Sequence, residues 1–468
     1  MSRTVPSVGI LGAGHVGLAT GLAFARHGAK VVAFDNNPRV GRALQQGRSP
    51  YHENGLNDLL RTELAAGRFA VVDSMRQLVD RSEGIFVCLP TPRGPGGRID
   101  LRPMRAGLRS LSVELGRTPE YRLVVIKSTV VPGTTTDVLE PLLRRATGKS
   151  VTKLGVANNP EFLAEGSMVR DAIRPERVVI GVTDARSREW LRRRYAPFHV
   201  PIYTLPPSGA ELVKYGSNAF LAAKVSFANE VARLTERLGQ NVDEVMEAVG
   251  ADSRIGAKFL RAGPGFGGSC FDKDVRALVT RSKELGVRFR TGENALRTND
   301  EQVQYVLRLI AQHGGPLRGK TVAVLGLAFK AGTDDVRESR AFPIIRGLCV
   351  RGARVQGHDP VARANFEREW RQAGWGPMKG VVLARTPELA LRGADLAVLQ
   401  ADWPQYVDWN PRWSRAMRTP LVIDLRRGLR SATAARAGLT VVSLGVAPEL
   451  RTARSRSTRR FPRPRRTR

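Results

Sequence analysis

Val8-Gly9-Ile10-Leu11-Gly12-Ala13-Gly14-His15-Val16-Gly17 is the stretch that decides the fold of this chain. Four residues that read as a buried strand run directly into Gly-x-Gly-x-x-Gly, and a helical pattern follows over 18–27. In that context the glycines provide a tight turn and a close backbone approach to a pyrophosphate, with the helix amides aimed at the anion. Alone the hexad would be weak evidence. The next strand, Lys30-Val31-Val32-Ala33-Phe34, strengthens it by ending on Asp35, at the distance expected of a carboxylate that binds ribose hydroxyls and disfavours a 2′-phosphate. NAD is therefore expected in preference to NADP.

Strand and helix keep alternating. Residues 84–89 form another buried run, with Cys88 inside it as core, and end at Pro90-Thr91-Pro92. Residues 123–126 form the next, ending at Lys127-Ser128-Thr129-Val130-Val131-Pro132-Gly133. Ligands of open parallel sheets gather at the carboxyl ends of strands, which turns Thr91 and Thr129 toward the nicotinamide half. Taken singly, either threonine reads as a cap or turn residue. Asn159-Pro160-Glu161-Phe162-Leu163-Ala164-Glu165-Gly166 places two acids four apart, on one face if this turn is helical and as ordinary solvated acids otherwise.

From Gly209 to about Leu238 apolar residues recur at three- and four-residue steps, which predicts a helix of ~30 residues and ~45 Å. Such a helix would join two domains and carry a dimer face. Lys214 and Asn218, four apart on one side of it, are both hydrogen-bond donors. Continuous apolar runs at 321–329, 395–399 and 421–426, with 353–360 between them, predict a second doubly wound sheet. It lacks Gly-x-Gly-x-x-Gly, so a second dinucleotide site is not expected.

Between helix and second sheet lies Gly263-Pro264-Gly265-Phe266-Gly267-Gly268-Ser269-Cys270-Phe271-Asp272-Lys273-Asp274. Four glycines in six positions permit positive φ and close approach to a ligand, at an entropic cost that folding alone would not favour. The loop ends on one of three cysteines in the chain. A nearby ammonium would favour the thiolate, the form that attacks carbonyl carbon. A buried, inert thiol is the plain alternative.

Gly-Phe-Gly-Gly-Ser-Cys followed by Lys273-Asp274 resembles the catalytic-cysteine signature of the nucleotide-sugar 6-dehydrogenases, the UDP-glucose/GDP-mannose dehydrogenase family. Further strings match in the family's order over residues 8 to about 430. They include Ser-Thr-Val-x-Pro-Gly at 128–133, Pro-Glu-Phe-Leu at 160–163 and Phe-Lys-x-Gly-Thr-Asp-Asp-x-Arg-Glu-Ser at 329–339. The resemblance implies an α/β fold: two doubly wound Rossmann-like domains joined by a central helical domain with a long connecting helix. The expected boundaries are an NAD-binding domain at 1–205, a helical dimerisation domain with the cysteine loop at 206–312, a UDP-sugar-binding domain at 313–450 and a disordered basic tail at 451–468.

The implied reaction is an NAD-dependent, four-electron oxidation of UDP-glucose to UDP-glucuronate through a Cys270 thiohemiacetal and thioester. Lys214 and Asn218 would hold the oxyanion, Asp274 and Glu161 would activate water, and Thr129 would line the reacting centre. Gly12, Gly14, Val16, Gly17, Asp35, Thr91, Thr129, Glu165, Lys273 and Arg337 would contact NAD. Beyond Glu161, Glu165, Lys214 and Asn218, the sugar nucleotide would touch Phe162, Leu163, Ala164, Phe259, Leu260, Arg261, Ala262, Gly263, Gly267, Lys330 and Arg426. Arg261 would reach across a dimer interface, and no metal is called for. The same chemistry on GDP-mannose or a UDP-N-acetylhexosamine is the near alternative. A two-electron 3-hydroxyacid dehydrogenase is a further one, although that class needs no cysteine. The chain departs from the family at Asp272, where Pro is usual and a charge would oppose a thiolate on Cys270. Arg340, Ala331 and Asn54 also replace prolines, and Val40 stands where a lysine is common.

Composition bounds the remaining classes. At 468 residues the chain calls for two to three domains. No apolar run approaches the ~18 residues of a membrane span. Three irregularly spaced cysteines argue against a disulfide framework and a metal site, and the strand near the N-terminus leaves no room for a signal peptide, so a reducing, cytoplasmic setting is expected. A net charge of +32 raises the question of nucleic acid. The basic tail supplies part of it, and the tryptophans are not interleaved with basic residues as a nucleic-acid platform requires.

Overall fold

The computed structural model describes residues 7–150 and 152–447, so the expected basic tail lies outside the described residues. Among the described residues, eight strands build the first sheet: Val8–Leu11 (β1), Val31–Phe34 (β2), Phe69–Val71 (β3), Gly84–Val87 (β4), Arg122–Ile126 (β5), Leu154–Asn158 (β6), Val178–Gly181 (β7) and Ile202–Leu205 (β8). Their order is β3-β2-β1-β4-β5-β6-β7-β8. All pair in parallel except β6 with β7, which meet antiparallel at Asn158 and Gly181. Helices cover both faces, so β1, β4, β5, β6 and β7 are buried at every position and read as unbroken apolar runs. Ile10, Phe86 and Leu123 pack on one face with Leu22 and Phe24 of the helix His15–Arg26 (α1). Leu11, Ile85 and Val124 pack on the other with Leu108 and Leu111. Strand order reverses between β1 and β4, the switch point at whose carboxyl ends such sheets bind ligands.

The second sheet holds six described strands: Thr321–Leu325 (β9), Arg354–His358 (β10), Val381–Leu383 (β11), Leu396–Leu399 (β12), Leu421–Asp424 (β13) and Thr440–Ser443 (β14). Their order, β11-β10-β9-β12-β13-β14, is parallel throughout. Between the sheets in sequence lie Pro207–Arg237 (α2), Val242–Ala251 (α3), Phe271–Glu284 (α4) and Arg290–Gly314 (α5). The long helix is present as expected, 31 residues opened by Pro207, where a missing N–H costs nothing. Two Rossmann-like sheets with a helical middle are thus the architecture.

The chain divides into two compact units. The first runs to Phe220 and takes in 270–293 and 332–334. The second holds 221–269, 294–331 and the described residues from 335 onward. The division cuts the glycine-rich loop between Ser269 and Cys270.

Two local expectations change. The strand expected over 84–89 stops at Val87, and Cys88 lies just past it, with its N–H on the carbonyl of Leu11 at 2.8 Å. The segment 159–166 is not helical, so Glu161 and Glu165 do not share a helix face. Proline at 160 disfavours helical backbone at Asn159, whose N–H instead continues the sheet onto the carbonyl of Ile126 at 2.9 Å. Among the described residues, no helix is long and apolar enough to cross a membrane.

Candidate active site

In the first unit, β1 ends on Gly12 at φ +92°, a conformation that favours glycine. A side chain on Gly17 would sit 1.9 Å from the Gly12 carbonyl oxygen, whereas one on Gly14 would meet nothing within 4 Å. Gly17 therefore brings helix against turn, and Gly14 leaves the start of α1, with half-buried Val16, open to an anion. Asp35 follows β2 half-buried, its Oδ2 accepting the Ala13 N–H at 2.8 Å and its Oδ1 that of Asn37 at 2.9 Å. Its remaining lone pairs suit ribose hydroxyls, so these residues fit NAD. Thr91 and Thr129 follow β4 and β5, both half-buried, and Ser128 ties their loops by donating to the Leu89 carbonyl at 2.6 Å.

Across the same unit, Lys214 and Asn218 lie one turn apart on α2 and are both buried. Lys214 Nζ stands 2.9 Å from Glu161 Oε1, and Glu161 Oε2 accepts the Leu163 N–H at 2.6 Å. Burial alone would raise the Glu161 carboxyl, but the Lys214 ammonium outweighs it and holds that carboxyl below its usual range. Burial likewise opposes charge on Lys214, and Glu161, then Cys270 and Asp274, together raise it above its ordinary value. The buried pair stays ionised. Asn218 Nδ2 donates to Asp274 Oδ2 at 2.7 Å while Lys273 Nζ donates to Oδ1 at 2.6 Å. Cys270 is the N-cap of α4, its carbonyl accepting the Asp274 N–H at 2.8 Å. A helix N-terminus and the field of Lys214 both favour negative charge at that cap. Glu165 lies half-buried in the coil beyond Phe162 and Leu163, with exposed Ala164 before it. Asp272 does not stand as a lone charge beside the thiol: its buried carboxylate lies 3.2 Å from Arg93 Nη1 and 2.9 Å from Arg276 Nε, which neutralise it.

In the second unit, the glycine-rich loop lies against the segment after β9. A side chain on Gly267 would come 2.5 Å from the Glu338 carbonyl, and one on Gly268, at φ +85°, 2.9 Å from the Phe329 ring. Asn229 accepts the Gly263 N–H at 2.7 Å, Gln302 donates to the Gly263 carbonyl at 2.8 Å, and Asn299 bonds both the N–H and the carbonyl of Phe266. Arg340, in place of the usual proline, is buried and donates to that same carbonyl at 2.7 Å. Arg426 donates to the carbonyls of Gln400 and Phe329, and burial pulls its pKa down to about 10. Phe259, Glu338 and Arg427 all hold positive φ without being glycine, and such strain clusters at ligand loops. Leu260 and Ala262 are buried, and Lys330 is half-buried over the Phe329 ring. Arg261, expected to reach a second subunit, bonds Asp402 at 3.1 Å and the Arg426 carbonyl of its own chain. Arg337, expected toward NAD, forks onto Asp335 two residues away.

The sequence reading passed over several residues that the fold brings to the first site. Lys127 Nζ is buried 2.9 Å from Asn159 Oδ1, and desolvation pulls it to about 8. Glu211, one turn before Lys214, accepts the N–H groups of Gly133 at 2.7 Å and Thr135 at 2.9 Å. Burial pushes it up to about 7 despite those donors. A charge directly after a fully buried strand, and an acid three residues from a buried lysine, were the available signals.

Family comparison agrees with this geometry. Profiles of the UDP-glucose/GDP-mannose dehydrogenase family match over residues 6–199 for its NAD binding domain, 208–301 for its central domain and 323–431 for its UDP binding domain. The chain is 38% identical to a UDP-glucose 6-dehydrogenase of Rhizobium meliloti, over 93% of this chain and 98% of that one. It is 39% identical to one of Haloferax volcanii, over 89% and 96%. Among solved structures, a UDP-glucose dehydrogenase from Pyrobaculum islandicum superposes with a TM-score of 0.87 at 37% identity, covering 95% of this chain and 99% of that one. A UDP-D-ManNAc dehydrogenase from Pyrococcus horikoshii superposes at 0.80 with 26% identity, over 94% and 99%. With all three domains matched in order around a glycine-rich turn built for NAD, the chain belongs to the UDP-glucose/GDP-mannose dehydrogenase family of NAD-dependent oxidoreductases.

Proposed function

We propose that this chain is a UDP-glucose 6-dehydrogenase, oxidising the C6 hydroxyl of UDP-glucose twice to give UDP-glucuronate. The observation that carries the reading is the company of Cys270: a helix N-cap in one unit with the Lys214–Glu161 pair and the Asn218–Asp274–Lys273 chain. NAD, when bound, supplies the hydride acceptor for each oxidation. After the first oxidation, Cys270 Sγ adds to the C6 aldehyde, and Lys214 Nζ and Asn218 Nδ2 donate to the oxyanion that forms. Loss of a second hydride leaves a thioester. Water that gives its proton toward Asp274 and Glu161 then displaces the thiol and leaves the carboxylate. Thr129, Thr91, Glu165 and Lys273 would orient the cofactor end. Lys330, Arg426, Gly267 and the backbone of 259–263 would hold the UDP-sugar, and 162–164 would touch its hexose.

Glucose is preferred as the sugar because the relatives at 37–39% identity carry that name, while the N-acetylmannosamine counterpart is more distant. We read the enzyme as a cytoplasmic homodimer. Phe220, Phe227 and Leu234 lie exposed at seven-residue steps along α2, an apolar seam suited to a second copy. A monomer by light scattering would remove that part of the reading.

The test of function is NADH yield against UDP-glucose, GDP-mannose and UDP-N-acetylhexosamines. Two NADH per UDP-glucose are expected, with an acyl adduct on Cys270 by intact mass. Cys270→Ala should lose roughly 1,000-fold or more in steady-state rate and form no adduct. Two NADH per sugar from Cys270→Ala at near wild-type rate would overturn the reading.

A further inference from the structure

The loop at 90–100, which follows β4 and carries Thr91, is laid along one face of α4. It is itself a small hairpin, with Arg93 bridged antiparallel to Ile99 and the Gly94 N–H on the Arg98 carbonyl at 2.7 Å. Its contacts on the helix fall at every fourth residue, which is the spacing of a single helix face. Arg93 pairs with Asp272 at 3.2 Å. Gly97 packs on Arg276, where an added side chain would come within 3.5 Å of Cβ. Thr280 Oγ1 donates to the Gly96 carbonyl at 3.1 Å, and Arg98 pairs with Glu284 at 2.9 Å. The carboxylate of Asp272 is buried, with 3% of its side chain exposed, and bridges Arg93 to Arg276 on its own helix. By contrast the Arg93 side chain is 46% exposed and that of Arg98 67%.

We propose that Asp272 is a positioning residue whose carboxylate straps the loop carrying Thr91 to the helix capped by Cys270, so that the cofactor loop and the thiol keep one register. This rests on the two-step oxidation above. In that scheme the first NADH must leave and a second NAD must enter while the sugar remains on the protein. A strap with one buried ionic fastening and exposed polar contacts beyond it is closed at rest. It releases by hydrating charge rather than by exposing core, so opening requires no unfolding of the sheet. The fastening matters most for capture of the second cofactor, because a slack loop would leave Thr91 displaced from α4.

The experiment is steady-state kinetics on full-length Asp272→Asn, Arg93→Ala and the double variant, with UDP-glucose and NAD varied separately. Each single variant should raise KM for NAD about tenfold, with KM for UDP-glucose within about twofold, and Arg93→Ala, at a half-exposed side chain, should leave the unfolding midpoint unchanged. The double variant should be no worse than Asp272→Asn alone, since that change already removes the Arg93 contact. Arg93→Lys should recover part of the loss. Wild-type KM for NAD should rise with salt, and that of Arg93→Ala should rise less. If Asp272→Asn fails to fold, Arg93→Ala, at a half-exposed side chain, carries the test alone. Additive effects, or a lower unfolding midpoint with an unchanged KM for NAD, would overturn the strap and leave Asp272 a purely structural charge. Wild-type stoichiometry separates the two readings. Two NADH per sugar with an unaltered KM in the variants sinks the strap alone, whereas one NADH per sugar sinks the two-step oxidation and the reason for a strap with it.

Discussion

In the first sheet Gly12 leaves β1 at φ +92° with its N–H on the Phe34 carbonyl, and in the second Gly326 leaves β9 at φ +101° with its N–H on the His358 carbonyl, each at 2.8 Å. The strands beside them repeat the match: Cys88 donates to the Leu11 carbonyl and Gln400 to that of Leu325. From these equivalent turns the chains diverge. The first enters α1 at His15, and the amides of that helix start face the switch point. The second does not re-enter helix until Ala341–Val350 (α6), and the intervening loop carries Lys330 and Arg337. The acids after the second strand diverge as well. Asp35 is half-buried and keeps lone pairs available. Asp359 is buried and accepts from the N–H groups of Leu327, Ala328, Val361 and Ala362, with Trp403 Nε1 at 3.3 Å. One sheet geometry thus carries two kinds of loop. The first is a short glycine turn that leads straight into a helix, and the second a long loop, fastened at Leu327 and Ala328 by Asp359, that carries Lys330 and Arg337.

The comparison breaks most sharply at Gly17. An alanine there would place Cβ 1.9 Å from the Gly12 carbonyl oxygen, so the turn and α1 must part. Gly17→Ala should weaken NAD binding by about 100-fold or more while UDP-glucose binding stays within about twofold, read by calorimetry on each ligand. Equal losses for both would mean that the two sheets do not divide the ligands.

The two acids should fail in opposite ways. Asp359→Asn removes the charge that four backbone donors share and should cost about 2 kcal/mol in urea unfolding, with cofactor choice unchanged. Asp35→Ser should leave stability nearly unaltered but narrow the preference for NAD over NADP by about tenfold. If Asp359→Asn altered cofactor choice, the second acid would be reading a ribose after all. The smallest effect is expected from deleting residues after 450, where nine arginines and no acid occur among 451–468. kcat and both KM values should stay within about twofold, and retention on a polyanion column should fall. A large loss of kcat would mean that the tail reaches one of the sites.

Much of the first site was legible because its residues lie in strings whose order is local. Gly12, Gly14 and Gly17 are read from one turn, and Lys214 and Asn218 from one helical step. Cys270 and Asp274 belong to a single loop and its following turn. What escaped was set by partners distant in sequence. Lys127 looked like part of a string until Asn159 met it, and Glu211 had no role until Gly133 and Thr135 donated to it. Asp272 escaped for the same reason: as the second residue after Cys270 its charge would oppose a thiolate, but in the fold it is paired by Arg276 and by Arg93, far earlier in the chain.

The sequence by itself determined the class of fold and the order of its parts, since strand–turn–helix periodicity and glycine positions depend on neighbours within a few residues. It also pointed to NAD as the cofactor, because the glycine turn and the Asp35 that ends the second strand lie within a few residues of their own strands whatever else surrounds them. Only the tertiary structure decided the state of the charges. Whether a carboxylate is ionised, shared or locked away depends on burial and on cations brought from elsewhere in the chain, and so Glu161 is held charged by Lys214, Asp359 is absorbed by backbone amides, and Asp272 joins a cofactor loop to the helix of Cys270.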